Sequence, residues 1–189
     1  MKFIPTTLPG VVLIELDIYR DGRGHFIETY HQKRYTEAGL NVTFVQDNFS
    51  KSSRGTLRGL HAQLARPQAK LVHIISGEIW DVAVDVRPDS PTYKKWYGVR
   101  LTAEEPKQLY IPIGFAHGFC VLSETAEVFY KCTDFYDPAN ELHLLWNDQD
   151  LAIDWPIQDP VLSPKDRDGI SLRDSQASLV RHFGTPKTK

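Results

Sequence analysis

The run Ile79-Trp-Asp-Val-Ala-Val-Asp-Val-Arg87 constrains this chain more than any other stretch. Trp80, Val82, Val84 and Val86 fall on one face, and Asp81, Ala83 and Asp85 on the other. A period of two is the signature of a strand. Lys70–Ile75, Val99–Leu101, Gln108–Ile111, Gly118–Leu122 and Ala126–Thr133 read the same way, with Ser76-Gly77-Glu78 as the hairpin between the first two runs. Turn signals at Pro88–Pro91, Glu105-Pro106, Pro112–Gly114 and Asp137-Pro138 separate the others. Short strands at a spacing of about 8–12 residues indicate an all-β sandwich or barrel. One helix is expected near the front, from Gln32 to Ala38, closed by Gly39. From Asp159 the alternation is lost. Pro160, Pro164 and Gly169 predict an irregular segment lying over the body, and residues from about 175 to 189 a frayed tail.

With 189 residues, the chain suits one domain, 1–189, able to bury a core without staples. Twenty-two Lys and Arg against 24 Asp and Glu give a net charge of -2, which argues against a nucleic-acid-coating protein. A local basic pocket for one small anion remains compatible with that balance. Cys120 and Cys132 lack a CxxC spacing and read as buried thiols of a reducing compartment. No apolar run reaches the length of a membrane span, and the N-terminus lacks the apolar region of a signal peptide. A cytoplasmic protein with no membrane partner is the expectation.

Polar residues stand where a β core should be apolar. Lys70 and His73 fall on opposite faces of one strand, and Tyr130 shares a face with Ala126, Val128 and Cys132. Polar groups lining a barrel lumen are costly unless they bind something. Arg58 and His61 also fall on opposite faces under strict alternation, but Gly59 between them could host a bulge that turns both to one pocket. A surface Arg and a hydrogen-bonded core His is the alternative. Pro112-Ile-Gly-Phe-Ala-His117 fits the second cupin motif, P-x-G-x-x-H. The H-x-H of a metal cupin is absent, so a transition metal would lack its nitrogen ligands. No dinucleotide fingerprint, P-loop or nucleophile elbow occurs. A His, a Lys and a Tyr on adjacent strands, with arginines nearby, suit proton abstraction beside a carbonyl on a diphosphate-bearing substrate.

Seven motifs carry a wider resemblance: Asp21–Glu28, Gln46–Ser50, Gly55–His61, Gln68–Val72, Ile111–Phe119, Tyr130–Thr133 and Ser163–Asp166. Together the chain resembles the dTDP-4-dehydrorhamnose 3,5-epimerase family, from about Thr7 to Leu172. The resemblance implies a cupin-type jelly-roll β-barrel with a few short helices, using no metal and no cofactor. It implies His61 as general base with Asp166 as its partner carboxylate, Tyr130 as acid and Lys70 as enolate stabiliser. Diphosphate and nucleotide contacts fall on Arg23, Gln46 and Arg58, and Asn48 is a further substrate-binding residue. His117 lines the sugar pocket, Phe135 stacks on thymine, and Glu141 and Lys165 are further contacts. Phe26 and Glu28 belong to N-terminal strands that reach toward the partner subunit of a homodimer.

The chain departs from the family pattern at Ala62, Phe135 and Leu142-His143, where an aromatic, a Tyr and Arg-Gly are common. The implied reaction is epimerisation at C3 and C5 of dTDP-4-dehydro-6-deoxy-D-glucose. The rivals are a 3-epimerase of another deoxysugar pathway, a cupin ketoisomerase, and a non-catalytic sugar-nucleotide binding module.

Overall fold

A computed structural model describes residues 1–185. Thirteen strands are formed among these residues: β1 (Lys2–Pro5), β2 (Val12–Glu15), β3 (Ile18–Asp21), β4 (Gly24–Ile27), β5 (Gln46–Ser53), β6 (Leu57–Gln63), β7 (Lys70–Ser76), β8 (Glu78–Asp85), β9 (Trp96–Thr102), β10 (Lys107–Ile111), β11 (Phe115–Val121), β12 (Thr125–Cys132) and β13 (Glu141–His143). Three helices join them: α1 (Gln32–Glu37), α2 (Pro164–Arg167) and α3 (Leu172–Phe183). One sheet runs β1-β2-β10-β7-β12-β5 and a second runs β13-β6-β11-β8-β9; β3 and β4 form a separate ribbon. From β5 to β13 nearly every connection crosses from one sheet to the other, which is jelly-roll wiring. No helix among the described residues is long and apolar enough to cross a membrane.

The alternation of β8 serves two cores. Ile79 and Ala83 meet Val72, Ile74, Phe119 and Val128 in the layer between the sheets. Val82, Val84 and Val86 face outward, under Leu144, Leu151, Leu172 and Leu179 of the C-terminal segment. A third cluster places Tyr35 of α1 on Leu71 and Tyr110, over the outer face of the larger sheet. The expected helix is present, and Gly39 follows it at φ +90°.

Two expectations are corrected. Ser76-Gly77-Glu78 is no hairpin: β7 pairs with β10 and β12, whereas β8 pairs with β11 and β9. Gly77, at φ +80°, turns the chain sharply across the gap between the sheets. A Cβ there would collide with the Thr125 carbonyl and lie 2.5 Å from Ser123 Oγ. The local signal announces a turn but carries no information about which strand pairs with which. The second correction concerns the tail. Residues 172–183 are the longest helix present, started by Ser171, whose hydroxyl accepts from Asp174 N–H at 3.0 Å. Leu172 and Leu179 are fully buried, which holds the helix on the sheet. Two apolar anchors seven residues apart in a polar run give too thin a stripe to announce a helix. The last four residues of the expected tail lie outside the described part.

Candidate active site

The β6 bulge is the first requirement of the site. Arg58 pairs with Phe119 and His61 with His117, so three steps on β6 match two on β11. The extra residue turns Arg58 and His61 toward one cavity of about 380 Å³, as the glycine between them suggests. Gly59 sits at φ +127°, and a Cβ on it would stand 2.5 Å from Gly118 Cα and 2.8 Å from the His117 carbonyl. Only a glycine fits this close approach.

His61 Nε2 lies 2.5 Å from Asp166 Oδ1. Asp166 is buried on α2, where its carboxylate accepts from Gly59 N–H at 3.2 Å and from the Ser163 hydroxyl at 2.7 Å. Burial pushes this carboxyl up, but the bonds from His61, Ser163 and Gly59, with the His61 charge, together hold it below the ordinary range. An ionised Asp166 fixes the ring through Nε2 and leaves Nδ1 as the nitrogen able to accept a proton.

Lys70 and Tyr130 face this pair from the other sheet. Cys132 of β12 is opposite Lys70 of β7, which puts Tyr130 two residues along on the same face. His61 is therefore not on a strand adjacent to Lys70 and Tyr130, as the sequence suggested; it stands across the cavity from them. Burial raises the Tyr130 hydroxyl, so it keeps its proton at neutral pH. Burial lowers the Lys70 ammonium, countered in part by Cys132, Glu141 and Asp81. Cys132 also lines the cavity, and burial raises its thiol, so it is a poor nucleophile.

The remaining expected residues divide into two groups. Gln46, Asn48, Arg58, His117, Glu141 and Lys165 line the same cavity. Gln46 donates to Asn48 Oδ1 at 3.0 Å, and Arg58 Nε to Ser52 Oγ at 3.0 Å. His117 lines the cavity, and its Nε2 meets buried Asp81 Oδ2 at 2.9 Å. Arg23, Phe26, Glu28 and Phe135 are not brought to the cavity in this chain. Arg23 is 91% exposed and bonds Asp21, and Phe26 is 67% exposed on the β3–β4 ribbon. Glu28 accepts from Arg34 at 2.8 Å. Phe135 is 54% exposed, with the Arg66 guanidinium over its ring, and its neighbour Tyr136 lines the cavity instead.

Sequence reasoning missed Tyr136 and His143. Tyr136 donates to Glu141 Oε2 at 2.7 Å, and that bond raises its hydroxyl to about 12. His143 lies directly opposite His61 across β13 and β6, the two rings meeting edge to face at 4.8 Å. Alternation from Glu141 would have put His143 on the same face, had so short a strand been recognised. His61, His143 and Asp166 each offer a possible metal-donor atom, all within 4.8 Å of one another.

Two antiparallel sheets closing over a histidine–carboxylate pair, with a lysine and a neutral tyrosine opposite, define a cupin-type epimerase. The comparisons narrow that class. The family model for dTDP-4-dehydrorhamnose 3,5-epimerase matches residues 5–174. A Pseudomonas aeruginosa dTDP-4-dehydrorhamnose 3,5-epimerase is 52% identical over 93% of this chain and 98% of its own. A Streptomyces niveus dTDP-4-dehydrorhamnose 3-epimerase is 39% identical over 98% of this chain and 91% of its own. Among solved structures, a Legionella pneumophila dTDP-6-deoxy-D-glucose-3,5-epimerase in complex with dTDP-4-keto-L-rhamnose superposes with TM-score 0.91. It is 49% identical, over 94% of this chain and 96% of that one. The chain belongs to the dTDP-4-dehydrorhamnose 3,5-epimerase family.

Proposed function

We propose that this protein inverts C3 and C5 of dTDP-4-dehydro-6-deoxy-D-glucose, giving dTDP-4-dehydro-L-rhamnose. The observation that carries the reading is the opposition of His61 on one sheet, held by Asp166 of α2, to Lys70 and Tyr130 on the other. His61 Nδ1 takes the proton on the carbon next to the C4 ketone. The electron pair moves onto the ketone oxygen, and Lys70 stabilises the enolate. As the enolate collapses, Tyr130 returns a proton to the opposite face of that carbon. Gln46, Asn48 and Arg58 supply polar and cationic contacts for the dTDP portion, and Glu141 and Lys165 are further substrate contacts.

Arg23, Phe26 and Glu28 take a different place in this reading. Their ribbon stands clear of its own cavity, with Tyr19 and Phe26 exposed side by side, which supports a homodimer in which each ribbon completes the partner's site. A nucleoside-diphosphate substrate and two buried free thiols, Cys120 and Cys132, favour the cytoplasm.

The second reading is a single epimerisation at C3, favoured by the similarity to the Streptomyces niveus enzyme. Incubation with the 4-keto-6-deoxyglucose nucleotide in deuterated water separates the two. NMR should find deuterium and inversion at both carbons; labelling and inversion at C3 alone would select the 3-epimerase, and labelling at neither would remove the enzymatic reading. The acid is tested in the same assay. Tyr130→Phe should still wash deuterium into the substrate while yielding little inverted product, and an unchanged product yield would remove Tyr130 from the proton path.

A further inference from the structure

His143 stands beside the base, yet the proton path described above does not use it. Its Nε2 is 3.1 Å from Glu141 Oε2, and its Nδ1 is buried without a hydrogen-bond partner. An imidazole oriented by a carboxylate through one nitrogen, with the other unused, is the arrangement found behind metal-ligating histidines. Its ring meets that of His61 at 4.8 Å, and His61 Nε2 in turn contacts the Asp166 carboxylate at 2.5 Å. One donor atom from each of the three residues falls within 4.8 Å of the others.

We propose that His61, His143 and Asp166 form an inhibitory site for a divalent transition metal of the zinc type. Two imidazoles and one carboxylate match the donor preference of Zn²⁺, which binds such groups at about 2.0–2.2 Å. Tetrahedral coordination at those lengths places donors about 3.3–3.6 Å apart. The His61–Asp166 contact must open by about 1 Å and the rings must close by a similar amount. A bound ion takes the place of the proton between His61 Nε2 and Asp166, and the ring proton moves to Nδ1, which can then no longer accept one from a substrate, so the protein is active without metal and silenced by it. The Leu142-His143 departure, where the family commonly has Arg-Gly, supplies the third ligand. The inhibition is accordingly a property of this chain and its His143, not of the reaction.

The test has two readouts. Co²⁺ added to the apo-protein should develop visible ligand-field absorption that His143→Ala abolishes and that excess Zn²⁺ displaces. This holds whatever the protein's substrate is, so it does not depend on the epimerase assignment. In turnover, Zn²⁺ should inhibit the wild type and EDTA should restore full rate, with at least about tenfold more Zn²⁺ needed for the same inhibition of His143→Ala. His143→Gln, which keeps the polar volume, should behave like the alanine variant. An unaltered Co²⁺ spectrum in both variants, a thiolate charge-transfer band in place of the ligand-field pattern, or equal Zn²⁺ inhibition of all three proteins would overturn the site.

Discussion

His61 and Asp166 act as one unit, but their removal should differ in kind. His61→Ala deletes the proposed general base, and loss of such a group costs about 10²–10⁴ in rate. Asp166→Asn keeps the imidazole but removes its anionic partner, so a smaller loss is expected. Deuterium wash-in at the sugar carbons, measured for both variants with dTDP binding as a control, should rank them in that order. Asp166 also ties the site to stability. Its folded-state pKa is lowered, so folding favours the carboxylate. That contribution is complete above the unfolded pKa and fades as pH falls through the lowered folded one. Thermal melts from neutral to strongly acid conditions should show a wild-type advantage over Asp166→Asn that shrinks toward acid. The pair was legible only through the family resemblance, since the residues alone offered Gly59 as a bulge between Arg58 and His61 and left a hydrogen-bonded core His as the alternative. Arg23, Phe26, Glu28 and Phe135 were named by the same resemblance, yet they stand outside the cavity of this chain. A motif records which residue types occur together in sequence, and says nothing of where the fold of one chain carries each of them.

At the scale of elements, β6 and α3 carry the clearest consequences. Gly59→Ala must move the backbone of β11, because a Cβ would stand 2.5 Å from Gly118 Cα. A loss of about 1–3 kcal/mol is expected from the strained φ alone, with more from the clash. Urea unfolding should record that loss, and activity should fall further than stability predicts because His61 is re-aimed. Leu179→Ala tests the C-terminal helix. It truncates a fully buried side chain, which costs about 2–5 kcal/mol. A denaturant midpoint unchanged by it would return 175–183 to the status of a frayed end. The strands were legible because a half-buried strand must alternate. Their pairing was not, since one sharp turn at Gly77 serves a hairpin and a sheet crossing equally well. The helix at 172–183 escaped because its fit rests on two leucines meeting a hydrophobic sheet face that only the folded molecule provides.

On the scale of the whole molecule, the proposed dimer makes a prediction that no single chain can satisfy. A subunit with His61→Ala keeps a sound ribbon but has a dead cavity. One carrying Arg23→Ala and Phe26→Ala keeps a sound cavity but has a crippled ribbon. Mixing the two should restore activity that neither shows alone, through hybrids in which the sound ribbon meets the sound cavity. Sedimentation of the wild type as a monomer, or mixtures no more active than their parts, would place ribbon and cavity in separate functions. The layer of Val72, Ile74, Phe119 and Val128 sets the gap between the sheets, and therefore the distance from His61 to Tyr130. That makes the barrel a calliper. Its jaws carry His61 and Tyr130, its screw is ordinary hydrocarbon packing, and on the proposed mechanism a sugar ring is gauged by thickness before any hydroxyl is recognised. Residues that never touch a proton thus help decide which substrates can be turned over and which are merely exchanged.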